Sequence, residues 1–258
     1  MKILISNDDG INSKGVHILV KLLNDLGHEI VVACPSKQCS GYGQSITTRN
    51  LITYKQTDQF VGAIKAYAID GSPTDCILVA LNHLLDQKPD LIMTGINHGA
   101  NVGKDYFYSG TIGAAREGSC NGIASIALSL SRDSDYSLNF EQSIPVMKEV
   151  LKKVLSRPLS NGSLTNINFP SRSYDNYLGI KVVPMELRQE RFKLIPVDIK
   201  DVRATRGFWL SNRINEMDEV QHADYSLVSK GYVTVSPIDI FKNDHELLKE
   251  VEEVFKEQ

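Results

Sequence analysis

The chain of 258 residues is long enough for one sizeable core with a modest appendage. With 42% hydrophobic and 23% charged residues and a formal net charge of -3, it offers no polycationic surface, which excludes binding of nucleic-acid polymers or anionic lipid through bulk charge. No apolar run approaches the roughly 20 residues of a membrane span, the four cysteines form no CxxC pair, and no basic segment followed by an apolar run opens the chain, so a cytoplasmic protein with reduced thiols and no membrane association is expected.

Lys2 to Ser6 reads as a short apolar strand, with Asn7, Asp8 and Asp9 where it leaves the sheet. After Gly10, the residues Val16, Leu19, Val20, Leu22, Leu23 and Leu26 recur at helical spacings until Gly27, and HEIVVACP follows as a second buried strand. A strand, a helix and a strand within about 35 residues predict a right-handed βαβ unit in a parallel sheet. Both strands are almost continuously apolar, as strands covered on two faces are. The alternation continues with AIKAYAIDG as a strand, SPTDCILVALNHLLDQ as a helix opened by Ser72-Pro73, and PDLIMTG as a strand. TIGAAREG then reads as a helix, IASIALSLS as a strand and FEQSIPVMKEVLKKVLS as a helix.

From Pro184 to Gly231 the alternation gives way to mixed charge, the only tryptophan (Trp209) and no clean helix, which predicts β-hairpins or long loops. GYVTVSPI and the charged amphipathic HELLKEVEEVFKEQ close the chain as a strand and a helix. The expected fold is α/β: a Rossmann-like, doubly wound, mostly parallel sheet with an extended C-terminal hairpin arm. The corresponding division is a core over 1–183, an arm over 184–231, and a returning strand and helix over 232–258.

In doubly wound sheets ligands gather beyond the carboxyl ends of the strands, which is where Asp8 and Asp9 fall. A lone Asp there reads as a turn residue capping the next helix. Two adjacent carboxylates repel, and are stable together chiefly with a cation or proton between them. The loop SKQCSGYGQSIT leaves the same edge, so the Ser40 hydroxyl is within reach of such an ion and the amides around Gly41 can face an anion; by composition alone this loop is an ordinary connection. TGINHGANVGKDYFYSGTIGAAREG follows a further strand, with Asn97 and Asn101 among glycines and Ser109-Gly110-Thr111 opening a helix, a favourable phosphate cradle that matches no standard glycine-rich motif. Two carboxylates, a hydroxyl and an amide carbonyl form an all-oxygen set that favours a hard cation such as Mg2+ or Mn2+ over Zn2+. A phosphate cradle beside a hard cation points to phosphoryl chemistry.

The blocks NDDG, the SG of CSGYGQSIT, DGSPTDC, TGINHGANVGKDYFYSGTIGAAREG, LTNINFP and GYVTVSPI stand in the order seen in the SurE family of metal-dependent 5′/3′-nucleotidases, and the chain resembles that family from Met1 to about Ile238. The resemblance implies removal of phosphate from nucleoside monophosphates by a Rossmann-like core with one divalent cation per subunit. It maps metal ligands onto Asp8, Asp9, Ser40 and Asn97, and phosphate binding onto Asn101 and Ser109-Gly110-Thr111. It also implies a carboxyl-terminal arm that joins subunits into a homodimer or homotetramer. The family's loop before the serine often reads like RNRSGA; here it is SKQCSGYG, with an arginine often present there replaced by Gln38 or lost, a difference that bears on substrate preference.

In the expected reaction Asp8 orients or deprotonates the attacking water while touching the metal, and Asp9 is mainly a ligand. An aspartyl-phosphate mechanism is a rival, although the DxDx[TV] arrangement it calls for is absent. A nucleotide- or sugar-nucleotide-binding protein of glycosyltransferase-like type, without phosphatase activity, is another, since KILIS and GHEIVVACP also resemble the start of such enzymes; the residues after Pro170 are too few for their second domain. His98 reads as a solvated or cation-facing loop residue, and Cys39 as a small spacer. Apolar residues of the arm, among them Leu187, Phe192, Leu194, Ile195, Phe208 and Trp209, predict contacts between copies.

Overall fold

The computed structural model describes residues 1–133, 137–186, 193–197, 207–211, 223–241, 248–249 and 251–252. In chain order the first half comprises β1 (Lys2–Ser6), α1 (Lys14–Asp25), β2 (Glu29–Pro35), β3 (Thr53–Gln56), β4 (Lys65–Asp70), α2 (Pro73–Val79), β5 (Leu91–His98), α3 (Asp105–Tyr108) and α4 (Gly110–Cys120). The second comprises β6 (Ser125–Leu130), α5 (Phe140–Leu155), β7 (Leu164–Phe169), β8 (Ile180–Val182), β9 (Lys193–Val197), β10 (Gly207–Ser211), α6 (Asp224–Lys230) and β11 (Val233–Ile238).

Nine strands form one sheet in the order β3-β4-β2-β1-β5-β6-β7-β11-β8. The block from β4 to β7 is parallel throughout; β3 pairs antiparallel with β4 and β11 with β7, and β8, parallel to β11, shares its reversed direction. The chain therefore builds outward from β1 in one direction through β2 and in the other through β5, so the order reverses between β1 and β5. Such a reversal opens the crevice in which doubly wound folds bind their ligands.

Period-two burial explains why Ile3, Leu4 and Ile5 of β1 are all apolar. Ile3 and Ile5 join the core containing Val16, Leu19 and Leu23 of α1 and Val146 and Val150 of α5. Leu4 joins the opposite core, with Cys76 and Ile77 of α2 and Ala114 of α4. Each fully buried aliphatic side chain of this kind contributes about 1.5–3 kcal/mol relative to exposure. The first turn of α1 approaches β5 so closely that a Cβ on Gly15 would lie 1.9 Å from the carbonyl oxygen of Ile96.

Ser72 and Asp75 close a reciprocal capping box at the start of α2, with Pro73 in its first turn. The single helix expected over residues 72–87 divides: α2 ends at Val79 and a π-helical turn, Ala80–Leu84, completes it. β3 and β8 escape the sequence pattern because they are short edge strands with little burial. α6 corrects the expectation of no clean helix before Gly231; at seven residues it is too short to display a period, yet it buries Asp224, Leu227 and Val228.

β9 and β10 pair antiparallel as a separate two-stranded sheet, with Trp209 opposite Ile195. Leu187 and Phe192 lie outside the described residues, as does most of the expected terminal helix, of which residues 248–249 and 251–252 are helical. Among the described residues no helix is long and apolar enough to cross a membrane.

The tight contact at Gly15 yields a stability test. Gly15→Ala should lower the urea unfolding midpoint by the equivalent of about 1–3 kcal/mol, the usual cost of overpacking, because the added methyl meets backbone that cannot rotate away. An unchanged midpoint would mean that α1 and β5 can separate freely.

Candidate active site

Asn7 shapes the turn that carries the two acids. Its side-chain amide donates to the carbonyl of Gly10 at 2.9 Å and to Ser13 Oγ at 2.8 Å, and its Oδ1 accepts from Gly10 N–H at 3.2 Å. Ser13 stands at the N-cap of α1 without capping it through its side chain. The turn is thus held from within, and Asp8 and Asp9 leave it in fixed directions.

Asp8 is almost fully buried. One carboxylate oxygen accepts a short hydrogen bond from Thr111 Oγ1, in the first turn of α4. A Cβ on Gly110 would meet Asp8 Cβ at 2.8 Å, so only glycine lets the helix start come this close. Burial pushes the Asp8 carboxyl up to about 6; the Thr111 hydrogen bonds oppose this rise and the charge of Asp9 adds to it. Asp9 accepts from the backbone N–H of His98 at 2.9 Å. Its carboxyl is also raised by burial, while His98 and Arg132 hold it back.

The neighbouring loops are tied to these acids through the backbone. Cys39 N–H donates to the carbonyl of Asp8 at 2.7 Å, which brings Ser40 and Gly41 beside Asp8. Ser40 is exposed, and Gln38 Nε2 donates to its Oγ at 3.0 Å. Further along, Thr47 bonds Asp75 through both its N–H (3.0 Å) and its hydroxyl (2.6 Å), anchoring the same loop to α2. On the other side of β1, the β5–β6 register shifts between Thr94 and Asn97, a bulge of the kind that re-aims side chains near functional sites. Asn97 donates its side-chain amide to the carbonyl of Gly99 at 2.8 Å, which leaves its side-chain oxygen, the atom a hard cation takes.

Asp8 and Asp9, with Ser40 in the adjoining loop and Asn97 near the end of β5, are therefore brought to one stretch of the sheet's carboxyl edge. Among the described residues no group of three or more His, Cys, Asp or Glu side chains gathers that could hold a metal ion. A cation here would have to draw on the neutral oxygens of Ser40 and Asn97 as well as the carboxylates. That donor set, with burial raising both acids, fits one hard divalent cation, which would favour their ionised forms.

The cradle differs in detail from the expectation. Thr111 is fully buried and gives its hydroxyl to Asp8, so its side chain serves the acid rather than an anion. Ser109 caps α4, accepting from Ile112 N–H at 3.1 Å. Asn101 is clamped by two side chains of β7: its N–H donates to Asn168 Oδ1 at 2.8 Å, and its carbonyl accepts from Asn166 (2.8 Å) and Asn168 (3.0 Å). Its own side-chain amide donates to Ser129 Oγ at 2.9 Å. Asn166 and Asn168 are missing from the site read in the sequence; the signal was LTNINF itself, a buried strand with asparagine at alternate positions.

His98 differs from a solvated loop residue. It ends β5, packs edge-on against Phe140 with ring centroids 5.3 Å apart, and places Nδ1 3.9 Å from Asp9. Cys39 is buried, and burial raises its thiol, in keeping with a spacer rather than a nucleophile. Beyond Arg132, a cleft of about 510 Å3 opens past the ends of β6 and β7, lined by Ser131, Arg132, Gln142, Ser171 and Arg172 among others.

Three comparisons bear on these features. The family model described as "Survival protein SurE" matches residues 3–191. A protein named 5′-nucleotidase SurE from Vibrio cholerae serotype O1 is 35% identical over 259 residues, covering 100% of this chain and 99% of that protein. One of the same name from Caldanaerobacter subterraneus subsp. tengcongensis is 33% identical, covering 96% and 95%. The crystal structure of the SurE protein from Aquifex aeolicus superposes with a TM-score of 0.81 at 31% identity, covering 98% of this chain and 99% of that one. With the sheet order, the acidic turn and the glycine-rich loop all in place, the chain belongs to the SurE family.

Proposed function

We propose that this protein hydrolyses nucleoside 5′- and 3′-monophosphates to nucleoside and phosphate, with one divalent cation, Mg2+ or Mn2+, per subunit. The observation that carries the reading is Asp8, buried at the carboxyl end of the central strand and hydrogen-bonded by Thr111 in the first turn of α4, with the side chain of Asp9 beside it only 4% exposed. The relatives named 5′-nucleotidase support the substrate class. Asp8, Asp9, Ser40 and Asn97 would hold the cation, which when bound polarises a phosphoryl oxygen and lowers the pKa of water.

The chain's own groups then have distinct tasks. Asp8 accepts the proton of the attacking water, whose oxygen bonds to phosphorus as the ester P–O bond breaks; the departing alkoxide oxygen takes a proton from solvent water, and Asp8 releases its own to solvent. Thr111 orients Asp8, and Gly110 makes room for it. The Ser109 hydroxyl, the Gly110 and Gly41 N–H groups and the Asn101 amide stand for the phosphoryl oxygens as charge develops there. Asn166 and Asn168 hold Asn101 in place. A cytoplasmic setting belongs to the same reading, supported by four free cysteines. Assembly into dimers or tetramers is supported by the hairpin, where Ile195, Phe208, Trp209 and Leu210 are exposed.

Hydrolysis of a chromogenic phosphate monoester should need Mn2+ or Mg2+, stop in EDTA, and be abolished by Asp9→Asn, which removes one charge at constant volume. Full activity of Asp9→Asn at ordinary metal concentration would sink the assignment. Ser40→Ala should only raise the metal concentration giving half activity, since water can stand in for a hydroxyl.

Thr111 and Ser109 should separate in their kinetics. Thr111→Val strands a buried carboxylate, so kcat should fall with a stability loss of about 1–3 kcal/mol. Ser109→Ala should instead weaken inhibition by vanadate and raise KM. Equal vanadate inhibition in Ser109→Ala and the parent protein would place the anion elsewhere.

For assembly, light scattering should give at least a dimer, and a smaller particle when residues 187–215 are replaced by a short Gly-Ser linker. A monomeric parent protein, or no change in mass, would remove the arm from any assembly role.

A further inference from the structure

Beside the acidic pair, two loops carry aromatic rings in solvent. Tyr42 follows Ser40 by two residues and Phe107 precedes Ser109 by two, and they are 49% and 52% exposed. Single exposed aromatics are ordinary on a protein surface. These two differ in being locked to one scaffold. Gly43 N–H donates to the carbonyl of Tyr108 at 2.9 Å, and a Cβ on Gly43 would meet the carbonyl oxygen of Phe107 at 3.0 Å. Gln44 accepts from Arg116 and donates to Glu117 at 2.8 Å, fixing the Tyr42 loop to α4. The Arg116 guanidinium lies 5.1 Å from the Tyr106 ring, which in turn meets Phe107 edge-on at 5.1 Å.

Both rings are also bound by chain length to the reacting centre. Two residues of chain span at most about 7 Å, so the backbone of Tyr42 lies within that distance of Ser40, next to the Cys39 bond to Asp8, and that of Phe107 equally near Ser109 at the start of α4.

We infer that Tyr42 and Phe107 form a stacking subsite for the nucleobase of a nucleoside monophosphate whose phosphate lies at Asp8 and Asp9. The inference rests on the hydrolase reading and adds to it the part of the substrate that is not transformed. An aromatic face recognises any base by its π-surface, without reading its hydrogen-bonding edge. The subsite therefore tolerates all bases and favours purines, whose face is larger. Loops already held in place lose little entropy on binding. The cleft beyond Arg132 has no aromatic lining and offers no such surface.

The test compares adenosine 5′-monophosphate with ribose 5-phosphate, which has the same phosphate ester and no base. In Tyr42→Ala and Phe107→Ala, the ratio of kcat/KM for the nucleotide to that for the sugar phosphate should fall on the order of tenfold, and Phe107→Trp should restore it. An unchanged ratio in both alanine variants overturns the subsite. So does a fall produced by Arg172→Ala instead, which would put the base in the cleft, or a smaller particle in light scattering of Tyr42→Ala, which would assign the rings to a contact between copies. If the parent protein hydrolyses neither compound, the hydrolase reading fails on its own. Equilibrium dialysis of adenosine 5′-monophosphate then decides the subsite: binding weakened by Tyr42→Ala supports it, and equal binding overturns it.

Discussion

The proposed chemistry of this protein depends on a carboxylate kept where a carboxylate is costly to keep. Asp8 is buried at the end of the central strand, and burial alone would favour its neutral form. What opposes this is the start of α4: hydrogen bonds from Thr111, in the positive field of a helix N-terminus. Gly110 is the steric condition for the contact, since any side chain there would strike Asp8 or Pro73. With the side chain of Asp9 adjacent and only 4% exposed, two carboxylates share one turn, and that crowding of charge supports the proposal of a cation there.

A site of this kind is only as well ordered as the loops around it, and three polar buttresses hold them. Asp75 ties the Ser40 loop to α2 through Thr47. Asn166 and Asn168 grip the backbone of Asn101 from β7. Asp224, fully buried at the start of α6, accepts from the N–H of Gly103 at 2.8 Å and of Glu186 at 3.3 Å, so the late part of the chain helps to shape the glycine-rich loop. Buried polar groups paired in this way favour a single arrangement, because an unpaired donor is expensive.

The two halves of the substrate reading then follow from one frame. In the proposed reading, phosphate falls to backbone and small polar groups at strand and helix ends, and the base to rings on the same loops. The groups that position Asp8 and the groups that carry Tyr42 are linked through Cys39 and α4.

Much of the fold was legible locally because its pattern is strong. Continuous apolarity marked β1, β2, β5 and β6 as doubly covered strands, the period of α1 and α5 marked helices, and Ser72-Pro73 announced the start of α2. The paired acids of NDDG and the run of glycines and asparagines after β5 pointed to the site, since both are poor choices for stability alone. The edge strands β3 and β8 and the short α6 were not legible, because their short segments are placed by neighbours rather than by their own periodicity. Nor could sequence spacing say that Thr111 would give its hydroxyl to Asp8, that His98 would lie against Phe140, or that two asparagines of β7 would clamp Asn101. The hydrogen bonds among those pairings join residues from 65 to 103 positions apart, and such contacts exist only once the sheet has set the order of its strands.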